Sequence, residues 1–584
     1  MKKITEYLKN NKIRSCTTLC FVFLMLINRV VANESQYIWL ITNNLIGPAI
    51  VLVILSIYPV KDFLKPFYII WTVLGVLGTI GGYGFWYTHQ VGHYIFACVT
   101  VPLNIWILGG AVIKYFEEIV LKKSFKIHIS KWEIPFIACM LLMFFSASNT
   151  VWPFYYLIIF LLLWHTPFSR EDKRNVFMGM MDGLIAGFIV MQCIAFMNTP
   201  YQTPRYRGAF WNCNRNSCLY LLALASTFGK AHMYKMKKSG ESDKSGRKAL
   251  IAYGCIASVL IAFIIYTGSR TGLIGTVLIA FLYFVCERNS FKERIRVLIT
   301  KGIVYTILAI VFVPVLYFPI RYLPEVKPYL ITVAKNVIKG PGHEFVPVSG
   351  LDFNYAITYN LLRYFEIELP VKEEETASVA EDVEVVEAEV VDTDVVDVDV
   401  EPEEEISVTG VDPTGRYYTL NYTFMYYPER GMYITKVPAY LYTGMNTIDS
   451  RINIAAALID QMNLWGHLDN EIILDIYSDV PGTGEAFSHN EQNFIIHFLY
   501  VYGVPVGILV CVLLFAELVW LIRRSISGKG DATVLLMLVS VYFFFGIMEI
   551  VWVPGQIEQL LLFFVPLFFT PYDNCVSERQ LERE

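Results

Sequence analysis

The sequence predicts an all-α polytopic membrane protein of about fourteen transmembrane helices, with one large extracytoplasmic loop between spans 11 and 12. Three observations carry this. The chain is 55% hydrophobic and only 17% charged, with mean hydropathy +0.48, which is far too apolar for a soluble protein of 584 residues. Apolar runs approaching or exceeding the length that crosses a bilayer recur along it. Lys and Arg segregate into alternate connections between those runs.

The candidate spans are 16–33, 44–60, 66–85, 94–113, 132–148, 150–166, 176–197, 216–230, 249–266, 271–286, 301–320, 494–521, 532–551 and 556–571. The first follows a basic stretch (Lys2, Lys3, Lys9, Lys12, Arg14) and has the outline of a signal peptide; with more spans behind it, it reads as a retained span. With the N-terminus placed in the cytoplasm, the inside connections and both termini hold 32 of the 47 Lys and Arg. The short outside connections at 34–43, 86–93, 149 and 552–555 hold none. This sets 1–320 as a membrane domain of eleven spans, 321–493 as the large loop, and 494–584 as three further spans with a cytoplasmic tail.

The formal net charge of −5 hides a strong local asymmetry: sixteen acidic residues lie within 373–405, and the rest of the chain is net +11. That segment, "EEETASVAEDVEVVEAEVVDTDVVDVDVEPEEE", reads as a solvated low-complexity linker, because self-repulsion opposes packing; its Val–acid alternation leaves a strand as the other reading. After it, 416–427 has the aromatic and threonine content of a strand. The stretch 447–468 reads as an amphipathic lid helix, with Ile448, Ile452, Ala455, Ile459 and Met462 on one face. None of the eleven cysteines lies within 321–493, and no Cys/His cluster has zinc-site spacing.

Three outside positions carry chemistry-bearing residues beside a span: "RYRGAFWNCN" (205–214), "GSRTG" (268–272) and "SHNEQNF" (488–494). Charges near membrane depth are expensive and face a wet cavity or a partner. Arg205, Arg207 and Arg270 suit an anion at headgroup depth, because a guanidinium grips phosphate oxygens in a fork and stays charged. Gly268 and Gly272 permit close backbone approach, and Ser269 and Thr271 add hydroxyl donors. His489 is the only side chain of the three motifs whose residue type has a reference pKa near neutrality, which fits it for a general base. Each residue alone has a plain reading. The arginines are then helix-end anchors among lipid phosphates, His489 caps the helix that follows, and Asn212 and Asn214 are turn or N-cap residues.

Taken together and in order, these motifs resemble the O-antigen ligase and polymerase superfamily of bacterial envelope biogenesis. Arg207, Gly208, Phe210, Asn212 and Asn214 match its outside-loop motif, and 268–272 its Gly-Ser-Arg-Thr-Gly turn. Its long-loop Ser-x-Arg before a helix is similar to "DSRINIAAALI" (449–459), where Ser450 and Arg451 stand side by side, and its His-Asn before a span is matched by His489 and Asn490. The resemblance covers roughly 176–521. Cys213 stands where the family carries proline, and the acidic insertion is extra. The resemblance implies a glycosyltransferase that moves an undecaprenyl-diphosphate-linked glycan onto an acceptor hydroxyl (of a glycan, lipid or protein) at the outer face of the cytoplasmic membrane. It implies inversion at the anomeric centre with no metal or cofactor, Arg207 and Arg270 on the diphosphate, and His489 activating the acceptor. Arg205, Ser269 and Thr271 would assist donor binding, with Asn212, Asn214, Gly268, Gly272, Arg451 and Asn490 in support.

Three other readings compete, of which a sensor or purely structural membrane protein has nothing in the sequence to recommend it. A flippase for lipid-linked oligosaccharide would also hold a diphosphate, but calls for charges buried at mid-membrane depth, whereas these spans are nearly free of charge. A metal-dependent transferase would place paired acids in the first outside loop, and 32–42 holds only Glu34. Nothing in the sequence separates ligase from polymerase.

Overall fold

The computed structural model describes residues 11–31, 36–89, 95–122, 129, 133–147, 152–201, 203–210, 213–237, 244–286, 291–339, 351–362, 405–411, 417–423, 426–427, 432–433, 455, 458–459, 462–467, 473–475, 486–488, 493–526 and 530–548. Helices cover thirteen of the fourteen expected segments; the last, 556–571, lies outside the described residues. In chain order they are α1 (Lys12–Val31), α2 (Gln36–Leu55), α3 (Pro66–His89), α4 (Ile95–Phe116), α5 (Glu133–Phe144), α6 (Trp152–Trp164), α7 (Arg170–Asn198), α8 (Cys213–Lys237), α9 (Lys244–Thr267), α10 (Arg270–Cys286), α11 (Phe291–Lys339), α12 (Phe353–Leu362), α13 (Phe494–Val501), α14 (Val504–Ile526) and α15 (Gly530–Met548). Among the described residues, six stretches are long and apolar enough to cross a membrane: Pro66–His89, Cys98–Leu121, Glu171–Asn198, Lys248–Thr267, Ile295–Ile331 and Val504–Ile526. Five shorter apolar helices accompany them among the described residues. The chain is a multi-pass membrane protein.

The chain divides into two units. The first comprises Met1–Leu351, Asn463–Leu468 and Asn493–Glu584. Local chemistry sets its helix ends. Ser169 opens α7 with a capping box: its hydroxyl accepts the Asp172 amide at 3.1 Å while its own amide donates to the Asp172 carboxylate at 3.0 Å. Such a cap contributes about 1 kcal/mol. On α7, Gly179, Gly183 and Gly187 recur every fourth residue and form one stripe. A side chain there would run into Thr17, Phe21 and Met25 of α1, so the stripe lets the two backbones approach closely. Asp182 on the same helix joins three elements: it accepts from Arg14 Nε of α1 at 2.7 Å and from Lys230 Nζ of α8 at 2.6 Å.

Three expectations need correction. The helix expected at 301–320 continues to Lys339, through the position where the loop was placed, despite Pro314, Pro319, Pro324 and Pro328 inside it. Its 49 residues span about 74 Å, more than twice the hydrocarbon thickness. The span expected at 494–521 is two helices, α13 and α14, broken at Gly503, whose φ of +93° lies in the left-handed region. The lid helix expected at 447–468 does not run to its end. Ala455, Leu458 and Ile459 are helical, but 462–467 is not. There the Asn463 side chain accepts the amides of Trp465 (2.8 Å) and Gly466 (2.6 Å), which folds the chain into a turn. That turn docks on the α13–α14 break, with the His467 amide donating to Val501 O at 3.1 Å and the Val504 amide to Asn463 O at 3.0 Å. Gly466 and Gly503 face each other so closely that neither position has room for a Cβ.

The second unit comprises Asp352–Met462 and Asp469–Gln492. It holds α12 and three antiparallel two-stranded ribbons: β1 (Glu405–Val411) with β2 (Tyr417–Thr423), β3 (Tyr426–Tyr427) with β4 (Met432–Tyr433), and β5 (Ile473–Asp475) with β6 (Ala486–Ser488). In the first, Glu405 pairs with Thr423 and Val411 with Tyr417. The strand expected at 416–427 is therefore present as β2 and β3. Of the acidic stretch 373–405 only Glu405 is described, as the first residue of β1.

Candidate anion-binding site

Two of the three expected motifs meet at one end of the first unit. The connection between α7 and α8 carries Arg205 and Arg207; the turn between α9 and α10 carries Arg270. The Tyr206 amide donates to Tyr266 O at 2.9 Å, and Arg205 Nε donates to Thr267 O at 3.1 Å, so the two turns are bonded directly.

The first turn is held from several sides. Asn216, fully buried on α8, donates from Nδ2 to Arg207 O and accepts the Ala209 amide at Oδ1 (3.0 Å). Thr199, just past the end of α7, donates its hydroxyl to Gly208 O at 2.9 Å. Gly208 has φ +54°, and a Cβ there would strike the Asn216 side-chain amide, so glycine is required on both counts. Tyr206 points inward. Its phenol accepts from Gln192 Nε2 at 2.8 Å, and Gln192 Oε1 accepts from the Tyr220 hydroxyl at 2.9 Å. Burial pushes the Tyr206 phenol well above its usual range, so it stays neutral at this interior position.

The second turn is closed by a serine–threonine pair. Ser217 of α8 and Thr267 of α9 share a hydrogen bond of 2.6 Å, and Thr267 also donates to Ile264 O. Gly268 has φ +58°, which reverses the chain directly after α9. Buried Ser269 caps α10: its Oγ accepts the Gly272 amide at 3.1 Å. A Cβ on Gly272 would lie 3.0 Å from both Ser217 and Ile264 side-chain atoms, so α10 packs tightly on α8 and α9 here.

On this frame the arginines take different positions. Arg205 is half-buried and committed inward, with Nη2 on Asn214 Oδ1 at 3.0 Å in addition to its bond to Thr267. Arg207 and Arg270 are exposed, and among the described residues neither forms an ion pair with a carboxylate. Arg270 occupies the first turn of α10, the positive end of the helix dipole, where a cation is disfavoured and an anion is stabilised. Thr271 follows it, half-buried. Asn212, Arg451, His489 and Asn490 lie outside the described residues; Ser488 closes β6 immediately before His489. Among the described residues no group of three or more His, Cys, Asp or Glu side chains is placed to share a metal ion.

Sequence reasoning missed the residues that hold the site together: Asn216, Thr267, Ser217, Thr199, Gln192 and Tyr206. The only available signal was the alternation of Asn212, Asn214 and Asn216, which continues one step past the motif.

The fold and this cluster define a multi-pass membrane protein with two exposed arginines, neither paired with a carboxylate among the described residues, on two interlocked turns. No family model, curated protein or solved structure matches the chain.

Proposed function

We propose that this end of the protein binds the diphosphate of a lipid-linked glycan, and that the protein transfers that glycan to an acceptor hydroxyl, as a polysaccharide polymerase or O-antigen ligase does. The observation that supports this most strongly is the exposure of Arg207 and Arg270, without an acidic partner among the described residues, on turns built with such internal bonding. A fixed pair of forked cations offers preorganised stabilisation to a leaving diphosphate.

In the proposed reaction the acceptor oxygen attacks the anomeric carbon of the undecaprenyl-diphosphate-linked sugar. The bond from that carbon to the phosphate oxygen breaks, and the diphosphate leaves with the electron pair. The acceptor proton passes to His489. Arg207 and Arg270 take the negative charge of the departing diphosphate without a cofactor or metal. Ser269, as the cap of α10, and Arg205, as the tie between turns, keep those arginines in place. Cys213 occupies the first position of α8, where proline is equally acceptable, so the departure from the family motif is structurally mild.

The rest of the proposal follows the charge pattern. The chain lies in a bacterial cytoplasmic membrane with about fourteen spans, both termini cytoplasmic, and the site and the segment after α11 outside. The competing reading, a transporter of lipid-linked oligosaccharide, draws on charges within helices. Asp182 and Glu517 are such charges, more than the sequence reading allowed for. Both Asp182 oxygens are taken by Arg14 and Lys230, which suits a static tie, while Glu517 is buried on α14 with Oε1 finding no hydrogen-bond partner among the described residues.

The deciding experiment supplies purified protein in detergent with undecaprenyl-diphosphate oligosaccharide, an acceptor and a chelator. Glycosidic product lost in Arg270→Lys and His489→Ala supports the transferase. Lipid movement in vesicles without any product supports the transporter.

A further inference from the structure

From the turn that carries Arg205 and Arg207 a buried chain of three side chains runs into the helix core, and the proposed chemistry does not use it. Tyr220 of α8 donates to Gln192 of α7, and Gln192 donates to Tyr206. All three are buried, the tyrosines almost completely. Tyr206 stands between Arg205 and Arg207 in the turn. The three differ in burial: Tyr206 is buried, Arg205 half-buried and Arg207 exposed. Tyr206 is thus held at both ends, its amide on Tyr266 O and its phenol on Gln192.

We infer that Gln192 is a positioning residue for the anion site, acting through Tyr206 to fix where Arg207 presents its guanidinium. The inference rests on the diphosphate reading for what Arg207 holds, but not for how it is held. A buried amide is fully satisfied only when its carbonyl and NH2 both find partners. In Gln192 the carbonyl is taken by one tyrosine and the NH2 by the other, so its orientation is determined. Packing alone would be served by an apolar side chain of this size. A bridging amide also fixes the depth at which the Tyr206 ring sits. The Arg207 backbone follows directly, and its carbonyl is held in turn by Asn216.

The two tyrosines provide an internal control. Tyr206→Phe and Tyr220→Phe each remove one hydroxyl, and each leaves one buried polar group of Gln192 without its partner. Their cost in melting temperature should be similar. Only Tyr206 belongs to the arginine-bearing stretch. The experiment uses full-length protein in detergent and two readouts: affinity for inorganic pyrophosphate, and amide hydrogen exchange of peptides covering 205–209. Tyr206→Phe and Gln192→Met should weaken pyrophosphate binding about fivefold to tenfold, as for loss of a hydrogen bond that supports a charged contact. Both should speed exchange in 205–209. Tyr220→Phe should lower the melting temperature by as much as Tyr206→Phe while leaving affinity within about twofold and exchange unchanged. Equal exchange and equal affinity in the two phenylalanine variants would overturn the positioning role and leave the chain as packing. Wild-type pyrophosphate binding that ignores Arg207→Met would overturn the diphosphate reading instead. The exchange comparison would still decide the positioning claim, and Gln192→Met carries the test if Tyr206→Phe does not fold.

Discussion

Two clusters of basic side chains in the first unit are built on opposite principles. Around the ends of α3 and α4, Lys114 is fully buried, with its ammonium 3.0 Å from Asp62, 2.8 Å from Glu118 and 3.3 Å from Glu117. Lys65 pairs with Glu117, and Lys122 lies 2.6 Å from Glu118, whose hydrogen bond holds the Lys122 ammonium above its usual range. Each of these cations has an acid of its own. At the turns of 205–209 and 266–272, the hydrogen bonds run through backbone carbonyls, asparagines and hydroxyls. No carboxylate among the described residues pairs with Arg207 or Arg270. The first arrangement is complete in itself. The second has no acidic partner among the described residues, and that difference is what the proposed anion site rests on.

The comparison breaks most readily at His489 and the arginines. His489→Ala should abolish transfer while pyrophosphate binding persists, because the proposed base acts on the acceptor. His489→Asn should fail equally; the helix that follows is capped by Asn493, not by His489 as the plain reading of the sequence had it, so full turnover in both variants would leave the residue no role in transfer. Arg207→Lys and Arg270→Lys should each lower turnover on the order of a hundredfold or more, since lysine keeps the charge and loses the fork.

Stability sharpens the contrast in the reverse sense. Lys114→Met leaves three carboxylates around an empty position and should cost about 3–5 kcal/mol, the usual penalty for removing one partner of a buried ion pair. Arg270→Met removes an exposed charge from the positive end of α10 and should change stability by no more than about 0.5 kcal/mol. Thermal unfolding in one detergent compares them; a large loss in Arg270→Met would place that arginine among the structural cations.

Next in size is Gly208→Ala. Its Cβ meets the Asn216 amide, and its φ is left-handed, so the turn must shift at a cost of about 1–2 kcal/mol. Pyrophosphate affinity should fall several-fold while the Lys114 region is untouched, which proteolysis at 117–122 can check. The smallest effect is expected from shortening 376–400. Loop length adds only about 0.6 kcal/mol per doubling, so protein level and product should stay unchanged. Loss of product at normal expression would show that the acidic segment binds something.

The helices and the exposed arginines were legible in the sequence because both leave local signals: apolar runs, and charges beside glycines. What was not legible depends on partners far along the chain. Arg205 looks like Arg207, yet it is spent on Thr267, sixty-two positions away. Asn216 lies beyond the motif but clamps the turn, because the first turns of α8 bring it under residues 207–209. Hydropathy followed α11 to its apolar limit without showing that the helix continues past four prolines. It also read 494–521 as one span, because Gly503 breaks the helix without interrupting the apolar composition. The motif turns were recognisable as a pattern; their interlocking became visible only with Tyr206 bonded to Tyr266.

The most direct measurement is binding of undecaprenyl diphosphate to purified protein with chelator present, comparing wild type with the Arg207→Met/Arg270→Met double variant and with Lys122→Met as a control cation. We expect saturable binding in wild type and in Lys122→Met, weakened with rising salt, and loss of binding in the double variant. Binding that survives in the double variant, or that appears only when a divalent cation is added, would contradict an anion site made of these two arginines.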